Sequence, residues 1–119
     1  MRLSLIMLAA MALMALSPAP AGAQGMFGNP QRGAALISQI GCGSCHIIPG
    51  IRGAQGLVGP PLDHMSRRIF IAGLLRNTPD NMMRWIMHPQ AIVRGNAMPE
   101  MGIGSTDARD IASYLSTLK

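Results

Sequence analysis

The pentapeptide Cys42-Gly43-Ser44-Cys45-His46 holds both cysteines of a 119-residue chain and sets a histidine directly behind the second. On one turn of helix two cysteines three apart sit on the same side, which brings both sulfurs and the imidazole to one place. The rest of the chain is short of bulk. It has one Trp, one Tyr and two Phe, few large side chains with which to fill the core of a small domain. Something other than side chains is expected to supply apolar volume.

The N-terminus sets the compartment in which those cysteines work. Arg2 is followed by an uncharged apolar run from Leu3 to Leu16 and by the small residues Ala21, Gly22 and Ala23. This is the pattern of a secretory signal with an A-x-A cleavage site, and residues 1–23 are expected to be removed. The alternative is an uncleaved anchor, but 14 residues fall short of the roughly 20 that a spanning helix needs. No stable membrane span is therefore expected in the mature domain, residues 24–119. Without Arg2 the domain carries nine Arg and Lys against five Asp and Glu, a net of +4. That is far below the charge of a nucleic-acid-binding arm, and no nucleic acid is expected as a partner. A periplasmic location permits a disulfide to persist, so compartment alone leaves the cysteine chemistry open.

Along the mature chain the signals are helical. Pro30 suits a first turn, Gln31 to Ile40 carries an apolar stripe and Gly41 suits the C-cap. Residues 47–61, with three Pro and four Gly, exclude regular structure and predict an ordered or ligand-packed loop. Met65 to Leu75 holds a short helix or a turn. Thr78 is the predicted N-cap of a helix running from Asn81 to His88, with Pro79 in its first turn and Pro89 as its stop. Residues 91–104 return to loop. Ala108, Ile111, Ala112, Leu115 and Leu118 then recur at helical spacing, with Ser105 as the expected N-cap. No alternating strand pattern is present, so the expected class is all-α: three to four short helices and long loops.

Three chemistries compete for Cys42-x-x-Cys45-His46. Thiol exchange suits C-x-x-C, but it normally rides on a thioredoxin-like sheet, and no strands are predicted. A structural zinc site would need His64 or His88 as an irregular fourth ligand. The third is covalent haem attachment, for which C-x-x-C-H is the recognised pattern. Cys42 and Cys45 would form the two thioethers, His46 would be the proximal iron ligand, and the haem would replace the missing aromatic core. Opposite histidine, a methionine thioether raises the potential of c-type electron carriers. The Gly-rich stretch 95–104 offers Met98 and Met101, and Met98 is the expected ligand because Pro99 stiffens the chain behind it. Met65, Met82, Met83 and Met87 are expected to pack, His88 to pair with the C-terminus of its helix, and His64 to lie at the surface.

Five segments occur in the order seen in class I monohaem cytochromes c: CGSCH at 42–46, GPPL at 59–62, RWIMHP at 84–89, AMPEMG at 97–102 and DARDIASYL at 107–115. Over residues 31–119 the chain resembles the small bacterial periplasmic members of that family. The resemblance implies haem c on Cys42 and Cys45, with His46 and Met98 as axial ligands and the Pro60 carbonyl accepting the other ring N–H of His46. It further implies Arg68 near a haem propionate, Trp85 lining the pocket on the methionine side, and Tyr114 packing across the first helix near Gly33. One departure is in charge: the mature chain has a single Lys and eight Arg, so docking through Arg52, Arg67, Arg76 and Arg94, or through apolar contacts, replaces the family's lysine ring.

The function these expectations describe is periplasmic transfer of single electrons between redox partner proteins by a monomer that is no enzyme in itself. The alternative is a cytochrome subunit held tightly within a dehydrogenase or oxidase complex.

Overall fold

The computed structural model describes residues 28–119, so the expected signal segment and its cleavage site lie outside the described residues. Four α-helices carry the fold: α1 (Pro30–Ile40), α2 (Pro79–Met87), α3 (Pro89–Ile92) and α4 (Ser105–Leu115). Short 3-10 turns occupy Cys42–Ser44 and Met65–Arg67.

Local chemistry sets the helix ends. Asn29 caps α1 by accepting from the Arg32 amide, Pro30 fills the first turn, and Gly41 closes the helix in the left-handed region at φ 88°. Thr78 caps α2 by accepting from the Asn81 amide at 3.2 Å, as its sequence predicts. Pro89 does stop α2, but it also opens α3, a single turn that the sequence placed partly in loop. At α4 the expected cap is corrected. Gly104 occupies the N-cap with no side-chain bond, and Ser105 is already the first helical residue.

A small antiparallel ladder, β1 (Phe70–Ile71) with β2 (Leu75–Arg76), joins the predominantly helical fold. Its register pairs Phe70 with Arg76 and Ile71 with Leu75. Two residues per strand are too few to show alternation in a sequence. The turn between them rests on Ala72 and Gly73, both at positive φ.

Helices α1 and α4 cross at Gly33. A Cβ there would overlap the Asp110 carbonyl oxygen and carbon, so only glycine allows the backbones to meet. The expected partner was Tyr114, but the residue at Gly33 is Asp110. Tyr114 instead donates its hydroxyl to the Pro49 carbonyl at 2.6 Å, tying α4 to the loop after the cysteines.

Asp110 is buried, yet its carboxylate is fully used. It accepts from the Asn29 amide at 2.7 Å and from Arg32 Nη1 at 2.5 Å, while Arg32 Nη2 reaches Asp107 at 2.6 Å. Burial by itself raises the Asp110 carboxyl pKa; the Asn29 amide and the Arg32 guanidinium outweigh it and hold the group below the usual carboxylate range.

The core beneath is aliphatic and thin. Ile37, Ile48, Met65, Ile71, Met82, Ile86, Ile111 and Leu115 are its larger buried members, and no aromatic ring is among them. Met83, Met87, Trp85 and Tyr114 pack against it only partly buried.

Two consequences are measurable. Gly33→Ala should cost at least ~2 kcal/mol in urea unfolding, because overpacking here meets backbone rather than a movable side chain. A depressed native pKa makes the stabilisation from Asp110 complete above its unfolded value, near 3.9, and loses it as pH falls through the native value. Asp110→Asn should therefore lower stability at pH 7 and flatten the decline of stability below about pH 4, read from melting temperature against pH.

Candidate haem site

The site begins where α1 ends. Gly41 turns the chain into the 3-10 turn Cys42–Ser44, and the amides of Cys45 and His46 both donate to the Cys42 carbonyl, at 3.2 and 3.1 Å. Cys42, Cys45 and His46 thus share one turn, all partly buried.

The loop that follows folds back onto this turn. The Gly56 amide donates to the Gly43 carbonyl at 3.0 Å, the Gly59 amide to Cys45 at 2.8 Å and the Leu62 amide to Ile47 at 2.8 Å. An isolated bridge pairs Ile47 with Gln55. Two glycines permit this close approach: a Cβ at Gly43 would press on Ala54 and one at Gly56 would strike Ser44 and the Cys45 amide nitrogen.

His46 is held on two sides. A Cβ on Gly59 would collide with the imidazole, so the ring lies against bare backbone. Its Nδ1 is 2.7 Å from the Pro60 carbonyl oxygen. A carbonyl only accepts, so Nδ1 carries a proton, and the neutral ring with that tautomer offers its Nε2 lone pair to a metal. Gly59 was only one turn glycine among several in the sequence, and its role against the ring had no signal there.

These residues open on a cavity of about 640 Å³, mostly apolar, within the roughly 300–1,000 Å³ range of cofactor sites. It is lined on one part by Cys42, Cys45 and His46, and elsewhere by Met98, Met101, Trp85, Pro60 and Arg68. Its inner wall is the core itself, formed by Met65, Ile71, Met82, Ile86 and Leu115. Every residue singled out for the site by the sequence borders this one space. Arg68 donates to the carbonyl oxygens of Pro61 and, at 3.1 Å, Asp63, which holds its guanidinium beside the loop. His64 is exposed with its side chain 3.5 Å from the Asp63 carboxylate, and His88, the C-cap of α2, lies 3.6 Å from Glu100.

The rival chemistries find no support in this geometry. No disulfide joins Cys42 to Cys45, and burial raises the pKa of Cys42, the opposite of an activated nucleophile. Among the described residues no group of three or more His, Cys, Asp or Glu side chains is placed to hold a metal ion, so no zinc set forms. Two sulfurs and one hydrogen-bonded imidazole at the edge of a mostly apolar cavity fit a porphyrin attached through the sulfurs.

Comparison with known proteins agrees. The family model for Cytochrome c matches residues 30–119. The chain belongs to the cytochrome c family. The family implies covalently bound haem c, and the chain carries it. The cytochrome is also 32% identical over 89 residues, 74% of its own length, to cytochrome c oxidase subunit 2 of Alkalihalophilus pseudofirmus. It spans about a quarter of that relative, 25% of its length. Among the described residues of the cytochrome, no helix is long and apolar enough to cross a membrane.

The sequence reading missed the residues that hold the Met98 loop. Gln90 Nε2 donates to the Met98 carbonyl at 2.7 Å, and the Met98 amide donates to Asn96 Oδ1 at 2.7 Å. A search for polar side chains inside the Pro/Gly punctuation of residues 89–99 would have been the available signal.

Gly59→Ala tests the ring's bed. The added methyl should displace His46 and change the ferric absorption spectrum of the cytochrome, whereas Gly53→Ala, at a position with open space but φ 73°, should affect stability and leave that spectrum unaltered.

Proposed function

We propose that the protein is a periplasmic one-electron carrier whose haem iron is ligated by His46 and Met98. The observation that carries this reading is that Cys42, Cys45, His46 and Met98 all line one apolar cavity. When bound, the haem supplies the ferric–ferrous couple, and a thioether opposite imidazole favours the reduced form. The chain's own residues do the rest. Cys42 and Cys45 anchor the porphyrin, Pro60 fixes the His46 tautomer and orients its ring, and the aliphatic wall keeps water from the iron. Arg68, at the cavity edge, balances a propionate, and Trp85 closes the methionine side. His46 and Met98 together would hold the iron and leave it no position for a substrate, and on this reading the protein is no enzyme in itself.

The mouth of the cavity is where partners meet it. Val58, Phe70 and Met101 line the cavity and are also exposed at 65%, 50% and 40%. Arg76 lies over the Phe70 ring at 5.7 Å, and Arg52, Arg67 and Arg94 are exposed elsewhere on the surface. An apolar rim with a modest positive charge suits short-lived contact with acidic faces of a reductase or oxidase by a monomeric carrier.

The second reading, a cytochrome held within a larger oxidase or dehydrogenase, is favoured by the similarity to a segment of an oxidase subunit. Size-exclusion chromatography of a gentle periplasmic extract separates the two. A carrier elutes at the mass of one small domain, and a subunit elutes with its complex.

Met98→Ala should abolish the near-infrared methionine-to-iron charge-transfer band of the ferric protein, while Met101→Ala should retain it. Survival of the band in Met98→Ala would remove Met98 from the iron.

A further inference from the structure

A dense side-chain network surrounds three residues at the cavity wall, Asn96 to Met98. Asn96 Nδ2 donates to the carbonyls of Pro89 at 3.1 Å and Val93 at 2.6 Å, while its Oδ1 accepts from the Met98 amide at 2.7 Å. Gln90 Nε2 donates to the carbonyls of Asn96 at 2.9 Å and Met98 at 2.7 Å, and Gln90 Oε1 accepts from the Gly95 amide at 3.0 Å. Both side chains are used to capacity or nearly so, and both are partly buried. Together they hold the amide and the carbonyl of Met98, the two backbone groups that flank its side chain.

This outlay has no stabilising purpose evident from the fold alone. Residues 93–104 contain no helix or strand, and a Gly/Pro-rich segment of that kind has little ladder of its own to resist displacement. The clamp is anchored in α3, which follows directly on α2 and its buried Met82 and Ile86. Pro89, at the start of α3, is among the most deeply buried side chains. A bond from iron to a neutral thioether is weak enough that the freedom of its loop decides whether an outside ligand displaces it.

We propose that Gln90 and Asn96 are positioning residues that keep Met98 seated in the cavity and so set how readily an external ligand displaces it from the iron. The inference rests on the reading of Met98 as axial ligand. It deepens that reading by naming what separates a closed electron carrier from a ligand-binding haem protein on the same scaffold: two amide side chains, neither of which touches the cavity's cysteines or histidine. Gln90→Glu is nearly isosteric, keeps the acceptor for the Gly95 amide and removes both donors, facing a carboxylate toward two carbonyl oxygens. Asn96→Asp keeps the acceptor for the Met98 amide and removes the donors to Pro89 and Val93.

The test is imidazole binding to the purified ferric holoprotein, followed by absorbance, for the parent, Gln90→Glu, Asn96→Asp, Asn96→Ala and Met98→Ala, and for Gln90→Glu and Asn96→Ala each combined with Met98→Ala. Each lost hydrogen bond should raise imidazole affinity about three- to tenfold, the ordinary net worth of one such bond. Asn96→Ala should exceed Asn96→Asp, because only the former releases the Met98 amide. In the Met98→Ala background neither further change should alter imidazole affinity, the non-additivity that marks action through Met98. Equal affinity of the parent and all clamp variants would overturn the inference while leaving Met98 as ligand. A rise of the same size in the Met98→Ala background would overturn it by showing a general loosening. Unchanged imidazole affinity in Met98→Ala itself would instead overturn the ligand assignment. Should Gln90→Glu fail to mature, the two Asn96 variants carry the same comparison.

Discussion

The crossing of α1 over α4 at Gly33 is the contact on which the rest of the molecule depends. It fixes the direction in which α1 runs, and α1 ends at Ile40, where Gly41 turns the chain into Cys42. Arg32 and Asp110 lock that crossing with a buried, fully bonded carboxylate, and Asn29 adds its amide from the helix start. A cysteine turn delivered at a set angle is useful only if the opposite wall is set as well. The same α4 supplies Leu115 to the cavity and, through Tyr114, holds the Pro49 carbonyl of the loop behind His46. Attachment turn, histidine bed and inner wall are thereby referred to one helix pair.

The cavity explains why so small a chain tolerates so little bulk. Its buried apolar side chains are aliphatic or thioether, and several of them also line the cavity. Dispersion contacts and apolar area normally supplied by aromatic residues are left to the cofactor. Covalent attachment then has a thermodynamic meaning beyond retention: the group that completes the core cannot be lost by dissociation.

Much of this was legible in the residues, and the parts that were not share a cause. Cys42, Cys45 and His46 announced themselves by spacing. Pro30, Gly41, Thr78 and Pro89 marked helix ends because backbone chemistry at those points is local. Met98, proposed as the second ligand, was singled out by the proline behind it and the cysteines ahead of it, and it lines the cavity. What escaped depends on distances across the fold. Gly33 showed the place of a close approach, but the partner proved to be the Asp110 backbone and not the Tyr114 ring. Gly59 resembled any turn glycine until the His46 ring lay against it. Gln90 and Asn96, in a stretch rich in Pro and Gly, had the composition of an ordinary loop, and only the folded chain shows both turned onto Met98. The ladder at Phe70 to Arg76 was too short to leave a period.

The central claim is that the haem is the larger part of this domain's core, and the direct measurement is amide hydrogen exchange on the Cys42→Ala, Cys45→Ala double variant purified without haem, against the holoprotein. The account predicts that protection collapses throughout, in α1 and α4 as well as in the loops at residues 47–61 and 89–104, because the walls of a cavity of about 640 Å³ have lost what they pack against. Protection in the haem-free chain equal to that of the holoprotein would contradict it, and would mean that the aliphatic residues around Ile37 and Ile111 suffice to hold the fold.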